Sequence, residues 1–114
     1  MDTIEWARSF PASVTVCDID AVILYMNDTS AESFQNSGGR ALLGKSLYDC
    51  HNPESCEKIR QILKDEKTNV YTIEKRGVHK MIYQSPWYRE GALAGILEIT
   101  FEIPNPLPHI VRGA

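Results

Sequence analysis

The sequence predicts one α+β domain: a five-stranded antiparallel sheet with helices packed on one face. Three observations carry that expectation. Residues 13–26 hold two short β-branched runs joined by a turn. Residues 70–103 hold three longer runs broken at Arg76-Gly77 and Glu90-Gly91. Between them, residues 53–65 repeat apolar side chains at helical spacing. The length of 114 residues suits a single domain with one core.

The elements follow in order. Residues 3–10 read as a short flanking helix, with Thr3 as its cap and Ile4, Trp6, Ala7 and Phe10 as its apolar surface, and Pro11 follows it. Ser13 to Cys17 and Val22 to Met26 form a hairpin around Asp18-Ile19-Asp20-Ala21, where aspartate side chains can bond the turn backbone. Asn27 to Ser30 offers caps for a helix over Ala31 to Gln35, which Ser37-Gly38-Gly39 breaks. Arg40 to Leu43 adds one helical turn, stopped by Gly44. Asn52 followed by Pro53 marks the start of the longest helix, over 53–65. Cys56, Ile59, Ile62 and Leu63 supply its buried stripe. Strands follow at 70–75, 78–88 and 93–103. In the last, parity places Leu93, Leu97, Ile99, Phe101 and Ile103 on the core side and Glu98, Thr100 and Glu102 on the other. The proline-rich tail, residues 104–114, reads as extended.

Composition narrows the function classes. A net charge of −3 gives no push toward nucleic acid or an anionic membrane surface. No run reaches the roughly 18 apolar residues of a membrane span. The acidic, amphipathic N-terminus does not read as an export signal, so a cytoplasmic location and three free thiols are expected. Enzyme signatures are missing: there is no Gly-rich phosphate loop, no Gly-x-Ser-x-Gly and no His-Glu-x-x-His.

Several segments together resemble a PAS domain. Asn27 after Val22-Ile23-Leu24-Tyr25-Met26 looks like the asparagine that ends the second PAS strand and caps the next helix. Leu42-Leu43-Gly44-Lys45-Ser46 looks like the hydrophobic-Gly-Lys-Ser step of the family, and Ser85 to Gly91 with Gly95 to Ile99 looks like its final hairpin. The likeness runs over about residues 10–103, so the chain divides into a flanking helix at 1–10, a PAS-like domain at 11–103 and a tail at 104–114. His51-Asn52-Pro53-Glu54-Ser55 further resembles a bacterial subgroup with a His-Pro-type step before the long helix. The flavin-binding branch places its reactive cysteine two residues after the Gly-Lys pair, where this chain has Leu47, so flavin photochemistry is not expected.

The resemblance implies a sensory or protein-interaction module that is not an enzyme. Its expected partners are a second copy of itself, a separate effector protein and a small ligand. No cofactor follows from the residues. The ligand is expected between helices and sheet, against Tyr25, His51, Met81, Tyr83 and Leu97, because tyrosines and an imidazole beside apolar walls give a few directed hydrogen bonds. Two alternatives stand beside this. His51, near Cys50 and Cys56, could hold haem or a metal in a gas or redox sensor, although the cysteine spacing is wider than a structural zinc site uses. A small enzyme could use the same cavity, which requires an acid-base pair that the sequence does not display. Cys50, in a loop, is the expected reactive thiol, with Cys17 and Cys56 as inert core residues.

Overall fold

The computed structural model describes residues 5–113, apart from the side chain of Cys50. The expected cap at Thr3, the apolar contribution of Ile4 and the reactivity of Cys50 therefore lie outside the described residues. The order is α1 (Glu5–Arg8), β1 (Ser13–Asp18), β2 (Ile23–Met26), α2 (Asp28–Ser33), two 3₁₀ turns at Gln35–Ser37 and Gly39–Leu42, α3 (Leu47–Cys50), α4 (Pro53–Asp65), β3 (Asn69–Lys75), β4 (Val78–Arg89) and β5 (Ala92–Glu102). The strands form one sheet in the order β2-β1-β5-β4-β3, with every neighbouring pair antiparallel. The two hairpins thus meet through β1 and β5, the first and last strands of the chain.

Asn27 organises the N-terminal half. Its Oδ1 accepts from the Val14 amide and the Ser30 amide, both at 2.9 Å, so one oxygen ties β1 and caps α2. Its Nδ2 donates to the carbonyls of Ala7 at 2.9 Å and Ala12 at 2.8 Å. The side chain is completely buried. Within the described residues α1 ends at Arg8, short of the expected residue 10, because Pro11 disfavours helical backbone at Phe10 and has no amide hydrogen to continue the helix. The Ala7 carbonyl goes to Asn27, and the chain turns at Phe10, whose amide bonds Ala7.

The Gly44-Lys45-Ser46 step also has a structural role. Gly44 takes φ +84° and its amide donates to the Ile23 carbonyl, while the Ile23 amide donates to the Lys45 carbonyl. Val22 bridges Ser46 in antiparallel fashion. The segment therefore covers the outer edge of β2, which would otherwise present unpaired backbone groups. It then delivers Ser46 as the cap of α3, a helix that the sequence reading did not anticipate.

Helix α4 spans the predicted 53–65. Asn52 Oδ1 accepts from the Ser55 amide at 2.8 Å and Pro53 takes the first turn. Asn52→Ala is expected to cost about 0.5–2 kcal/mol in urea unfolding with the near-UV circular dichroism of the folded protein unchanged. A loss under about 0.3 kcal/mol would show that the cap contributes nothing. Cys56, Ile59 and Ile62 are buried, and Ile59 and Ile62 pack with Cys17 and Ile96 of the sheet and with Ala21 of the β1–β2 turn. A second cluster joins Ile23, Met26 and Leu42, with Leu47 packed against both clusters.

One expectation about β5 is reversed. The residues facing α4 are Ile96 and Glu98, in register with Cys17 and Thr15 of β1, and Ile96 is buried in the core. Leu97, Ile99 and Phe101 alternate with them and point to the opposite face. There Leu97 and Ile99 lie opposite the buried Val16 and Val14, while Phe101 is 40% exposed. Alternation identifies which residues share a face, not which face the helices cover. The helix side of this sheet carries polar groups because it lines a cavity.

Candidate functional site

A cavity of about 220 Å³ lies between α4 and the covered face of the sheet. Ile59 and Ile62 of α4, Phe34, Leu47, and Ile82 and Ile96 of the sheet supply its apolar wall. Thr15, His51, Ser55, Lys58, Tyr71, Gln84 and Glu98 add polar groups. An apolar space with a few directed polar groups is the usual composition of a small-molecule site.

The sheet builds the polar wall by register. Asn69, Gln84, Glu98 and Thr15 are cross-strand neighbours on β3, β4, β5 and β1. Asn69 Nδ2 donates to Gln84 Oε1 at 2.9 Å, and Gln84 Nε2 donates to Glu98 Oε2 at 2.7 Å. Thr15 and the fully buried Ser30 share a hydroxyl–hydroxyl bond at 2.5 Å. This ladder orients the Gln84 amide and the Glu98 carboxylate before any ligand arrives.

Two other groups in the wall are held neutral. Burial pushes the Cys17 thiol up to about 11, so it stays protonated and unreactive at neutral pH. Burial, and then the nearby Glu98 charge, raise the Tyr71 hydroxyl above its ordinary value, so it remains a neutral donor and acceptor. His51 stands at the α3–α4 junction, with Nδ1 3.0 Å from the Leu47 carbonyl. A carbonyl only accepts, so that nitrogen carries the proton.

Of the five residues expected at a ligand, His51 lines the cavity. The other four lie elsewhere. Leu97 is in register with Val16, Tyr83 with Ile99 and Val70, and Met81 with Phe101 and Thr72, all on the face away from the helices. Tyr25 pairs with Val16 and shares that face, and its buried hydroxyl has no hydrogen-bond partner among the described residues. One inverted assignment moved Leu97, Tyr83 and Met81 together, because neighbouring strands pair residue by residue. The residues missed, Thr15, Tyr71, Gln84, Glu98 and Ile96, carry a signal in hindsight. A polar residue recurs on the same register line in four strands, which a solvated face does not require.

The described residues, which leave out the Cys50 side chain, lend the metal and haem alternatives no support. Among the described residues no three His, Cys, Asp or Glu side chains converge on a common point. The cavity is smaller than the ~300–1,000 Å³ of drug-sized sites, and a haem is larger than those ligands. Cys56 is buried, with its thiol against the Tyr48 and His51 carbonyls.

The comparisons agree with the geometry. A family model described as a PAS fold matches residues 7–104. No curated protein matches the chain. Among solved structures, a sensory box sensor histidine kinase from Vibrio cholerae is similar at TM-score 0.64 and 18% identity, over 88% of this chain and 88% of that one. The PAS domain of the histidine kinase ThkA is similar at TM-score 0.65 and 17% identity, over 78% of this chain and 96% of that one. VqmA of Vibrio cholerae is similar at TM-score 0.67 and 14% identity, over 93% of this chain and 53% of that one. These identities establish likeness of fold.

Proposed function

The chain belongs to the PAS fold family, a family of sensory modules in signal transduction, and from that premise we propose that it senses a small molecule held between α4 and the sheet. The observation that carries the proposal is the cavity of about 220 Å³ with a hydrogen-bonded polar ladder already in place on its wall. VqmA, a distant structural neighbour, is solved bound to DPO, which supports ligand binding as a use of this fold. A ligand that fits one arrangement of α4 better than another shifts the population between them. Because α3 and α4 pack on the sheet through Leu47, Ile59 and Ile62, that shift alters the sheet beneath.

The output passes to another protein or another copy of this chain. The sheet face away from the helices exposes Val70, Tyr83 and Phe101 at 40–45%. Trp6 is 70% exposed and packs edge-to-face with Phe10. A homodimer, with a separate effector, accounts for these apolar surfaces. No helix among the described residues is long and apolar enough to cross a membrane. A non-catalytic role in the cytoplasm completes this reading.

Native mass spectrometry of the chain as purified from bacterial cells tests it. The wild type should retain a small-molecule adduct, and Ile82→Trp, which places an indole in the cavity, should remove it. Adduct retention by Ile82→Trp would place the ligand elsewhere. Absence of any adduct on the wild type, with a dimer present, would favour the second reading: an interaction module acting through the exposed sheet face.

A further inference from the structure

The cavity wall carries one carboxylate, and its surroundings say what kind of ligand it awaits. Glu98 sits on β5 with its side chain toward α4, half-buried beside Ile96 and Gln84. Among the described residues it is the sole acidic one of the lining. None of the ion pairs among the described residues involves it. Its one recorded hydrogen bond comes from Gln84, to Oε2. That amide is itself fixed, because its oxygen accepts from Asn69 and so directs its nitrogen at Glu98. The carboxylate is thus oriented by a neutral donor, and among the described residues no ion pair compensates it, Lys58 of α4 being exposed at the cavity's other wall. A partly buried carboxylate held this way is incompletely compensated. A cation entering the cavity would supply what the protein does not.

We propose that the cavity takes a small cationic amine with an apolar body, whose ammonium group binds the Glu98 carboxylate while its hydrocarbon part lies against Ile59, Ile62, Ile82 and Ile96. The proposal deepens the sensory reading above and rests on it. The chemistry is matched at both ends. Glu98 keeps a carboxylate oxygen for an N–H donor, and charge-assisted bonds of this type are the stronger class. The isoleucines form the opposing wall from α4 and the sheet. Tyr71, also in the lining and kept neutral, offers an oxygen and a ring face, both of which suit an ammonium group. An anionic ligand would meet the Glu98 charge with no cation on the sheet wall, and Lys58 is exposed on α4.

Benzylamine, benzyl alcohol and benzoate differ in charge while sharing one body, and they test the assignment. Each is titrated into nitrogen-15-labelled protein and followed by two-dimensional NMR, for the wild type and for Glu98→Gln. Glutamine keeps an oxygen to accept from Gln84, so the ladder and the fold are preserved. The expected result is at least tenfold tighter binding of benzylamine than of benzyl alcohol, with benzoate weakest. The side-chain amide signals of Gln84 and Asn69 should shift, and Glu98→Gln should abolish the preference while still admitting the alcohol. Equal binding of amine and alcohol, tighter binding of benzoate, or an amine preference that survives Glu98→Gln would overturn the amine assignment and leave the cavity reading standing. Failure of all three probes to shift any cavity residue would overturn both.

Discussion

Gly95→Ala is expected to unfold this domain or to cost about 4 kcal/mol or more. Gly95 lies in β5 at φ +154°, where a side chain is strained whatever the space. Space is also lacking. A Cβ at this position would stand 1.8 Å from the Cys17 carbonyl oxygen and 2.8 Å from the Asp18 Cα. Both are backbone atoms of the adjacent strand and cannot swing aside. The same Cys17 carbonyl accepts the Trp87 indole N–H at 2.9 Å, and Trp87 lies opposite Gly95 in the register of β4 and β5. The glycine therefore permits the closest approach of the two hairpins, and the tryptophan fastens it. Urea unfolding followed by tryptophan fluorescence measures the effect. A loss below about 1 kcal/mol would show that β1 and β5 can separate at this point without harm.

Asn27→Ala should be the next most damaging change, at about 3–5 kcal/mol. The substitution removes the α2 cap and leaves the Val14 amide and the Ala7 and Ala12 carbonyls without their side-chain partner in a buried setting. Unpaired buried groups cost more than the net worth of the bonds they made. Asn27→Asp is the informative control. It keeps an acceptor for Val14 and Ser30 but turns a carboxylate oxygen on the Ala7 and Ala12 carbonyls, so it should rescue little. Hydrogen exchange should show the Val14 and Ser30 amides among those that lose most protection. Full rescue by Asp would mean that the cap, not the tie to the N-terminal segment, is what matters.

These two residues show what a sequence can and cannot display. Asn27 was legible because its type, and its place after an apolar run and before a helix, have a local physical meaning. The boundaries of α4 were legible for the same reason: Asn52, Pro53 and a four-residue stripe act within one element. Gly95 reads only as a turn-like residue inside a strand, since its role depends on Cys17, far away in the chain. The faces of β5 were misread for a related reason. The strand alternates cleanly, but which side the helices cover is decided by the pairing of β5 between β1 and β4. The apolar parity of Leu97, Ile99 and Phe101 points away from the helices, and the covered side carries Gln84, Glu98 and Thr15 at its cavity. The flanking helix ends at Arg8 rather than at residue 10: the Phe10 amide turns back to the Ala7 carbonyl, which Asn27 also holds, a bond no local pattern announces.

The placement of the ligand can be read directly from isoleucine methyl groups. Ile59, Ile62, Ile82 and Ile96 line the cavity, whereas Ile99 lies on the far face of the sheet. Protein labelled only at isoleucine methyls and mixed with benzylamine reports intermolecular nuclear Overhauser effects from whichever face the ring touches. Contacts to the methyls of Ile59, Ile62, Ile82 and Ile96, with none to Ile99, are the expected result. Contacts to Ile99 alone, or to no isoleucine methyl, would contradict a small-molecule site between α4 and the sheet.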